Sequence, residues 1–309
     1  VTAFAARLLY LLAAALGRLP WPWLDRLGAG MARLWRRLDA REARVARRNL
    51  ALAWPQLDAA ARDALLRAIL RTTACQALET LRLWTRPQAD NLALIRSAHG
   101  TALLDQALAR GRGVIVAAPH YGNWELLNQW LAARTPLAIL YRPPESAIGE
   151  AFLQRVRADD GGRVAQVRAD GPAVRQLLKR LQHGGVVGIL PDQQPKAGEG
   201  AFVPFFGLPA LTMTLLPRLA ARTGATVLLA YCERQPPVRG AAPAFALHLE
   251  AAPAEVAAAD PAVGARALNA AIERIAHRDP AQYQWTYKRY TLRPPDSGEA
   301  NPYRDLERH

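Results

Sequence analysis

From Gly113 onward, short unbroken apolar runs alternate with stretches of helical periodicity, and that alternation constrains the fold more than any other feature. GVIVAAPH reads as a strand buried on both faces, LAILYR, VVGILPD and ATVLLAYCER read as further strands, and AFALHLEAA reads as a fifth. Between them lie WELLNQWLAAR, SAIGEAFLQRVRADD, GPAVRQLLKRLQHG and LTMTLLPRLAARTG, all with helical spacing, the last despite Pro217. The segment GPAVRQLLKRLQHG stops at Gly184 and Gly185, and a long helix starts at the Asp260-Pro261 cap. Strands alternating with helices predict an α/β fold, a mostly parallel central sheet flanked by helices. Upstream, to about Trp84, the chain reads as helices only. No Gly/Ser-rich linker divides it and no repeat is visible.

Ligands of such sheets bind beyond the carboxyl ends of strands. Three polar clusters fall there: His120 after the first strand, Tyr141-Arg142 after the second and Asp192 after the third. In PHYGNWE, a helix capped by His120 would bring Glu125 back beneath the imidazole after one turn. A carboxylate that accepts the proton of one ring nitrogen fixes the tautomer and leaves the other nitrogen as a base. The plain alternative is a structural histidine whose spacing to Glu125 is accidental. Competing chemistries lack their signatures: there is no phosphate loop, no G-x-S-x-G elbow and no zinc spacing. Cys75 and Cys232 read as reduced, buried thiols.

The amino-terminal stretch carries a second signal. FAARLLYLLAAAL is followed by Trp21 and Trp23 and then by Arg33, Arg36, Arg37, Arg41, Arg44, Arg47 and Arg48. An apolar helix, an aromatic belt and a basic segment together suit an anchor on an anionic leaflet. The expected division is a membrane-associating helical segment over 1–38 and the α/β domain over 39–309. The uncharged run is about half the length of a straight span, so interfacial and spanning anchors both stay open. The net charge is +14. That excess fits nucleic acid, anionic lipid or a small acidic protein. The absence of a nucleic-acid-binding motif argues against the first.

Four ordered blocks carry a resemblance: GRGVIVAAPHYGNWE, YRPPESAIGEAFLQRVR, GILPDQQPKAGEGAFVPFFGLPALTMTLLPRLAARTGA and QYQWTYKRYTLRPP. Over about Gly100 to Pro295 the sequence resembles the lipid A biosynthesis acyltransferases, late lauroyl/myristoyl transferases within the glycerolipid acyltransferase group marked by His-x4-Asp/Glu. The resemblance implies transfer of an acyl chain from acyl carrier protein to a lipid hydroxyl, at the cytoplasmic face of the bacterial inner membrane. The carrier thioester is a co-substrate, and no cofactor or metal is expected. His120 would be the base and Glu125 its orienting partner. Arg157, Asp192, Arg142 and Asn123 would lie on the substrate side. FVPFFG, with Phe205 and Gly207, would line the acyl or glycolipid side of the cleft. The chain departs from the family pattern at Gln194, where the family has a second acidic residue, and at Tyr287-Lys288-Arg289. These departures leave open a different lysolipid or glycolipid acceptor. A non-catalytic lipid-binding protein and a thioester hydrolase are the rival readings. Trp285, Tyr287 and Tyr290 read as core aromatics, with lipid contact the alternative.

Overall fold

A computed structural model describes residues 2–144, 146–156, 163–169, 172–238 and 240–307. The chain opens with helices α1 (Thr2–Gly17), α2 (Trp21–Arg37), α3 (Arg41–Ala53), α4 (Ala59–Leu83) and a short α5 (Gln88–Leu92). Asp58 starts α4 by accepting a hydrogen bond from the Ala61 backbone N–H at 2.7 Å. Then follow β1 (Ile95–His99), α6 (Thr101–Ala109), β2 (Val114–Ala117), α7 (Trp124–Arg134), β3 (Leu137–Tyr141) and α8 (Ala147–Val156). The order continues with β4 (Val164–Arg168), α9 (Ala173–Gln182), β5 (Val186–Ile189), β6 (Gly200–Phe205), β7 (Leu208–Met213) and α10 (Leu215–Thr223). It closes with β8 (Thr226–Arg234), β9 (Phe245–Ala251) and α11 (Pro261–Ala276).

Seven strands form one sheet in the order β1-β9-β8-β2-β5-β3-β4. All neighbours are parallel except β8 and β9, so the mostly parallel sheet expected from the alternation is present. Strands β2 and β5 at its centre are buried throughout, which is why they read as continuous apolar runs. Ile115 and Ala117 face a core built with α3, α4, α10 and α11. Val114 and Val116 face a second core built with α6 and α7. Three details differ from expectation. Strands β1 and β4 were not foreseen, because their burial patterns are mostly exposed or half-buried. The helix expected from Leu211 begins only at Leu215, since Leu211–Met213 pair with Gly200–Phe202 in the β6–β7 hairpin. The other helix whose end was expected at Asp160 is described only to Val156.

The first two helices pack on α4. Gly28 lies so close that a Cβ there would sit 2.7 Å from Cys75 Sγ. The Arg82 guanidinium donates to the carbonyls of Gly17 and Leu19, each at 2.7 Å, and stacks 4.3 Å over the Trp21 ring. On the outside, Phe4, Leu8, Leu11, Leu12, Trp23 and Leu27 are exposed. No single helix among the described residues is long and apolar enough to cross a membrane; α1 and α2 together reach that length and composition but are bent by 112°. Both cysteines are free and buried, as read from the sequence. Burial pushes the Cys75 thiol up to about 11, so it is no nucleophile at neutral pH.

The carboxy-terminal stretch is strapped onto α3 by Asn49, with Arg41 and Arg48 of the same helix bonding to Thr286, Pro302 and Asp305. Asn49 donates to the carbonyls of Trp285 at 2.7 Å and Tyr287 at 2.8 Å, and its own carbonyl oxygen accepts from the Tyr303 hydroxyl. Trp285 and Tyr290 are core aromatics here, and Tyr287 is half-buried. Asn49→Ala orphans two carbonyls and a phenol at once. It is expected to cost about 3 kcal/mol, read as a shift in the urea midpoint.

Candidate active site

Strand β2 delivers the chain to Pro119 and His120, and β5 delivers it to Pro191 and Asp192 beside it, because β2 and β5 are adjacent and in register. Asp192 is 2 % exposed and binds His120 twice. One carboxylate oxygen accepts the His120 backbone N–H at 2.8 Å, and the other lies 2.7 Å from the ring Nδ1. An ionised carboxylate only accepts, so Nδ1 carries the ring proton and Nε2 keeps its lone pair. The Trp124 ring meets the imidazole edge-on at 4.9 Å. The His120 side chain remains 11 % exposed.

This is not the pairing expected from His-x4-Glu. The expectation required His120 to cap the following helix; Asn123 does so instead, accepting from the Leu126 N–H at 3.0 Å. The intervening Gly122, at φ +60, turns the chain between the two. Glu125 therefore sits buried in the first turn of α7, while the orienting place on Nδ1 belongs to Asp192. Asn123 is the buried cap of α7. Phe205 packs in the core under the Arg289 guanidinium, 5.3 Å from its ring, and Gly207 lies exposed in the β6–β7 turn, so neither lines the cleft as expected. Arg157 lies outside the described residues.

A cavity of about 880 Å³ opens at the carboxyl ends of β2, β3 and β5, with His120 and Trp124 on its wall. Apolar side chains from at least five elements line it, among them Ile139, Leu153, Leu178, Met213 and Leu219. Arg142, Lys196, Arg218 and Arg222 stand on the same wall against one carboxylate, Glu199, among the described lining residues. Arg142 is thus where the sequence placed it. The sequence reading missed Gln193 and Gln284. The amide nitrogen of Gln193 lies 3.2 Å from His120 Nε2 and donates to Gln284 Oε1 at 3.1 Å. Gln193's adjacency to Asp192 was the available signal. For Gln284, 91 residues further on, there was none. Gln194, the departure from the family pattern, accepts from the Leu292 N–H at 2.9 Å, and its own N–H donates to the Tyr287 hydroxyl. It ties the site loop to the carboxy-terminal block.

Burial alone would push the Asp192 carboxyl up. The charge and hydrogen bonds of His120 outweigh that and hold it below its ordinary 3.8. Burial and the charge of Asp192 push the Tyr283 phenol well above its ordinary range, so it stays neutral. A carboxyl held low in the folded state contributes stability above its unfolded value and loses it as pH falls through the folded one. The stability advantage of wild type over Asp192→Asn is therefore expected to be full near about pH 6 and to shrink below 3.8. Urea midpoints across that range read it, and a gap that stays constant to about pH 2 contradicts it.

The chain matches the bacterial lipid A biosynthesis acyltransferases over residues 3–291. It is 25% identical over 280 residues to the lipid A biosynthesis lauroyltransferase of Escherichia coli strain K12, covering 90% of this chain and 88% of that one. It is 27% identical over 290 residues to the palmitoleoyltransferase of the same organism, covering 93% and 90%. A phosphatidylinositol mannoside acyltransferase of Mycobacterium tuberculosis is 30% identical over 193 residues, 60% of each chain. With a match that runs from the first helix to the carboxy-terminal block, the chain is an acyltransferase and belongs to the bacterial lipid A biosynthesis acyltransferase family.

Proposed function

We propose that this enzyme moves a fatty acyl chain from an acyl carrier protein thioester to a hydroxyl of a lipid A precursor or a related lipid, at the cytoplasmic face of the inner membrane. The observation that carries the reading is a histidine oriented by a buried carboxylate, on the wall of a large, mainly apolar cavity. In this mechanism the acceptor hydroxyl approaches Nε2, gives up its proton there and attacks the thioester carbonyl carbon. The carbonyl π pair moves onto oxygen. As the intermediate collapses, the C–S bond breaks and the imidazolium returns the proton to the sulfur, leaving an ester and a free thiol. Asp192 holds the ring through the cycle and offsets its transient charge.

The four cations on the cavity wall favour an acceptor with an anionic head, and the +14 chain favours an acidic carrier. The exposed apolar faces of α1 and α2 favour a lipid surface as the working place. Purified enzyme given carrier thioester and a lipid acceptor is expected to form acylated lipid, and no free acid when the lipid is omitted. Substituting coenzyme A thioester is expected to slow transfer. Free acid at an undiminished rate without lipid sinks the transferase reading in favour of hydrolysis. Equal rates from both donors sink the carrier assignment.

A further inference from the structure

The Gln193 amide occupies the place an attacking hydroxyl must take. Nε2 of His120 has a lone pair, so a group facing it at 3.2 Å must donate, and the amide nitrogen is what faces it. Its second N–H goes to Gln284 Oε1, and Gln284 is itself held by its backbone N–H to the His120 carbonyl at 3.0 Å. Both sequence neighbours are locked: Asp192 on His120, and Gln194 between Tyr287 and Leu292. The backbone at Gln193 is therefore fixed, and the side chain is the part free to turn.

Resting on the reading of His120 as the base, we infer that Gln193 is a further catalytic residue, the donor that stabilises the oxyanion. A hydroxyl that takes Nε2 displaces one amide N–H from its acceptor while the other stays on Gln284. The released N–H then lies beside the reacting oxygen. The atom that gains a full negative charge there is the thioester carbonyl oxygen, as the O–C bond forms and the π pair shifts to it. The amide N–H donates to that oxygen and is released when the C–S bond breaks and the carbonyl re-forms. In the resting enzyme the same N–H satisfies the base, so neither group is left unpaired in the cavity. A donor aimed at a developing oxyanion in a site with apolar walls is worth far more than in water.

Gln193→Leu keeps the volume and removes the donor. It is expected to lower kcat by roughly 10²–10³-fold, with the KM for donor and acceptor changed by less than about threefold. Gln193→Glu sets a second carboxylate against the ring. The imidazolium between two carboxylates becomes harder to deprotonate, so the acid limb of the kcat/KM profile is expected to move up by about one pH unit or more, while the alkaline plateau stays at least as low as in Gln193→Leu because the donor is gone. The limb reports that the side chain at 193 faces Nε2, and the plateau kcat reports the donor: a merely structural glutamine leaves the plateau unchanged. The inference is overturned if Gln193→Leu keeps kcat within about threefold, if its loss lies in KM alone, or if the Gln193→Glu limb stays in place. His120→Ala run in parallel separates the two readings. If it retains transfer, the base falls and this inference falls with it. If it loses transfer while Gln193→Leu does not, Gln193 alone is rejected.

Discussion

His120→Ala is expected to lower kcat by roughly 10²–10⁴-fold, and Asp192→Asn by as much or more, with KM little changed in either. The second effect follows from hydrogen-bond bookkeeping at one carboxylate. Asp192 accepts from two donors, the His120 backbone N–H and the ring Nδ1–H. An asparagine has one acceptor oxygen and one NH₂. If the oxygen keeps the backbone N–H, the NH₂ faces Nδ1, which must then accept. The ring proton moves to Nε2 and the base has no lone pair left for the substrate. If the amide flips, the backbone N–H is orphaned in a buried site. The second arrangement keeps the base only by orphaning a buried donor, so the first prevails, and the fold survives while the chemistry does not. The double variant is expected to be no worse than the poorer single one, because both act through the same nitrogen. Steady-state kcat, with circular dichroism as the control for folding, decides the matter. An Asp192→Asn variant with near-normal turnover would return the orienting role to another group.

How far the site could be read in advance depends on how local its geometry is. The sheet was legible because β2 and β5 are buried on both faces and write continuous apolar runs into the sequence. From that, His120, Arg142 and Asp192 could be placed at strand ends, and Asp192 could be placed near His120. The identity of the partner carboxylate could not, because it turns on whether the helix cap is His120 or Asn123. Both are plausible from PHYGNWE. One left-handed residue, Gly122, decides it by turning the chain before α7 begins. The same limit applies to FVPFFG. Its aromatics look like a lipid-facing cleft, yet antiparallel pairing of β6 with β7 puts Phe205 and Phe206 in the core beside Trp54 and Trp285. The exposed apolar faces of α1 and α2 were legible as an amphipathic pattern. Their seat on α4 was not, since it depends on the close approach at Gly28.

Gly122→Ala is expected to cost roughly 4 kcal/mol or more and to take activity with it. Gly122 is at φ +60, a conformation that penalises any Cβ by about 1–2 kcal/mol. Beyond that, the added methyl would collide with the Cys232 carbonyl oxygen on β8. The backbone there has no room to give. The Gly122 N–H donates to the Gln282 carbonyl at 3.1 Å, the Asn123 N–H donates to Cys232 at 2.8 Å, and the Gly122 carbonyl accepts from the Gln76 amide at 2.7 Å. Relief of the clash must break these bonds, and they hold the loop that carries His120. Gly207→Ala is the matched control. It has φ +76 but nothing within 4 Å of its Cβ position, so it is expected to show the backbone penalty alone. The difference between the two urea midpoints isolates the packing of β8 against the catalytic loop, and equal costs would show that the loop yields without strain. A Gly122→Ala enzyme that folds at low temperature is expected to have a displaced imidazole and a kcat reduced as in Asp192→Asn, because the backbone N–H bond from His120 to Asp192 depends on the same turn.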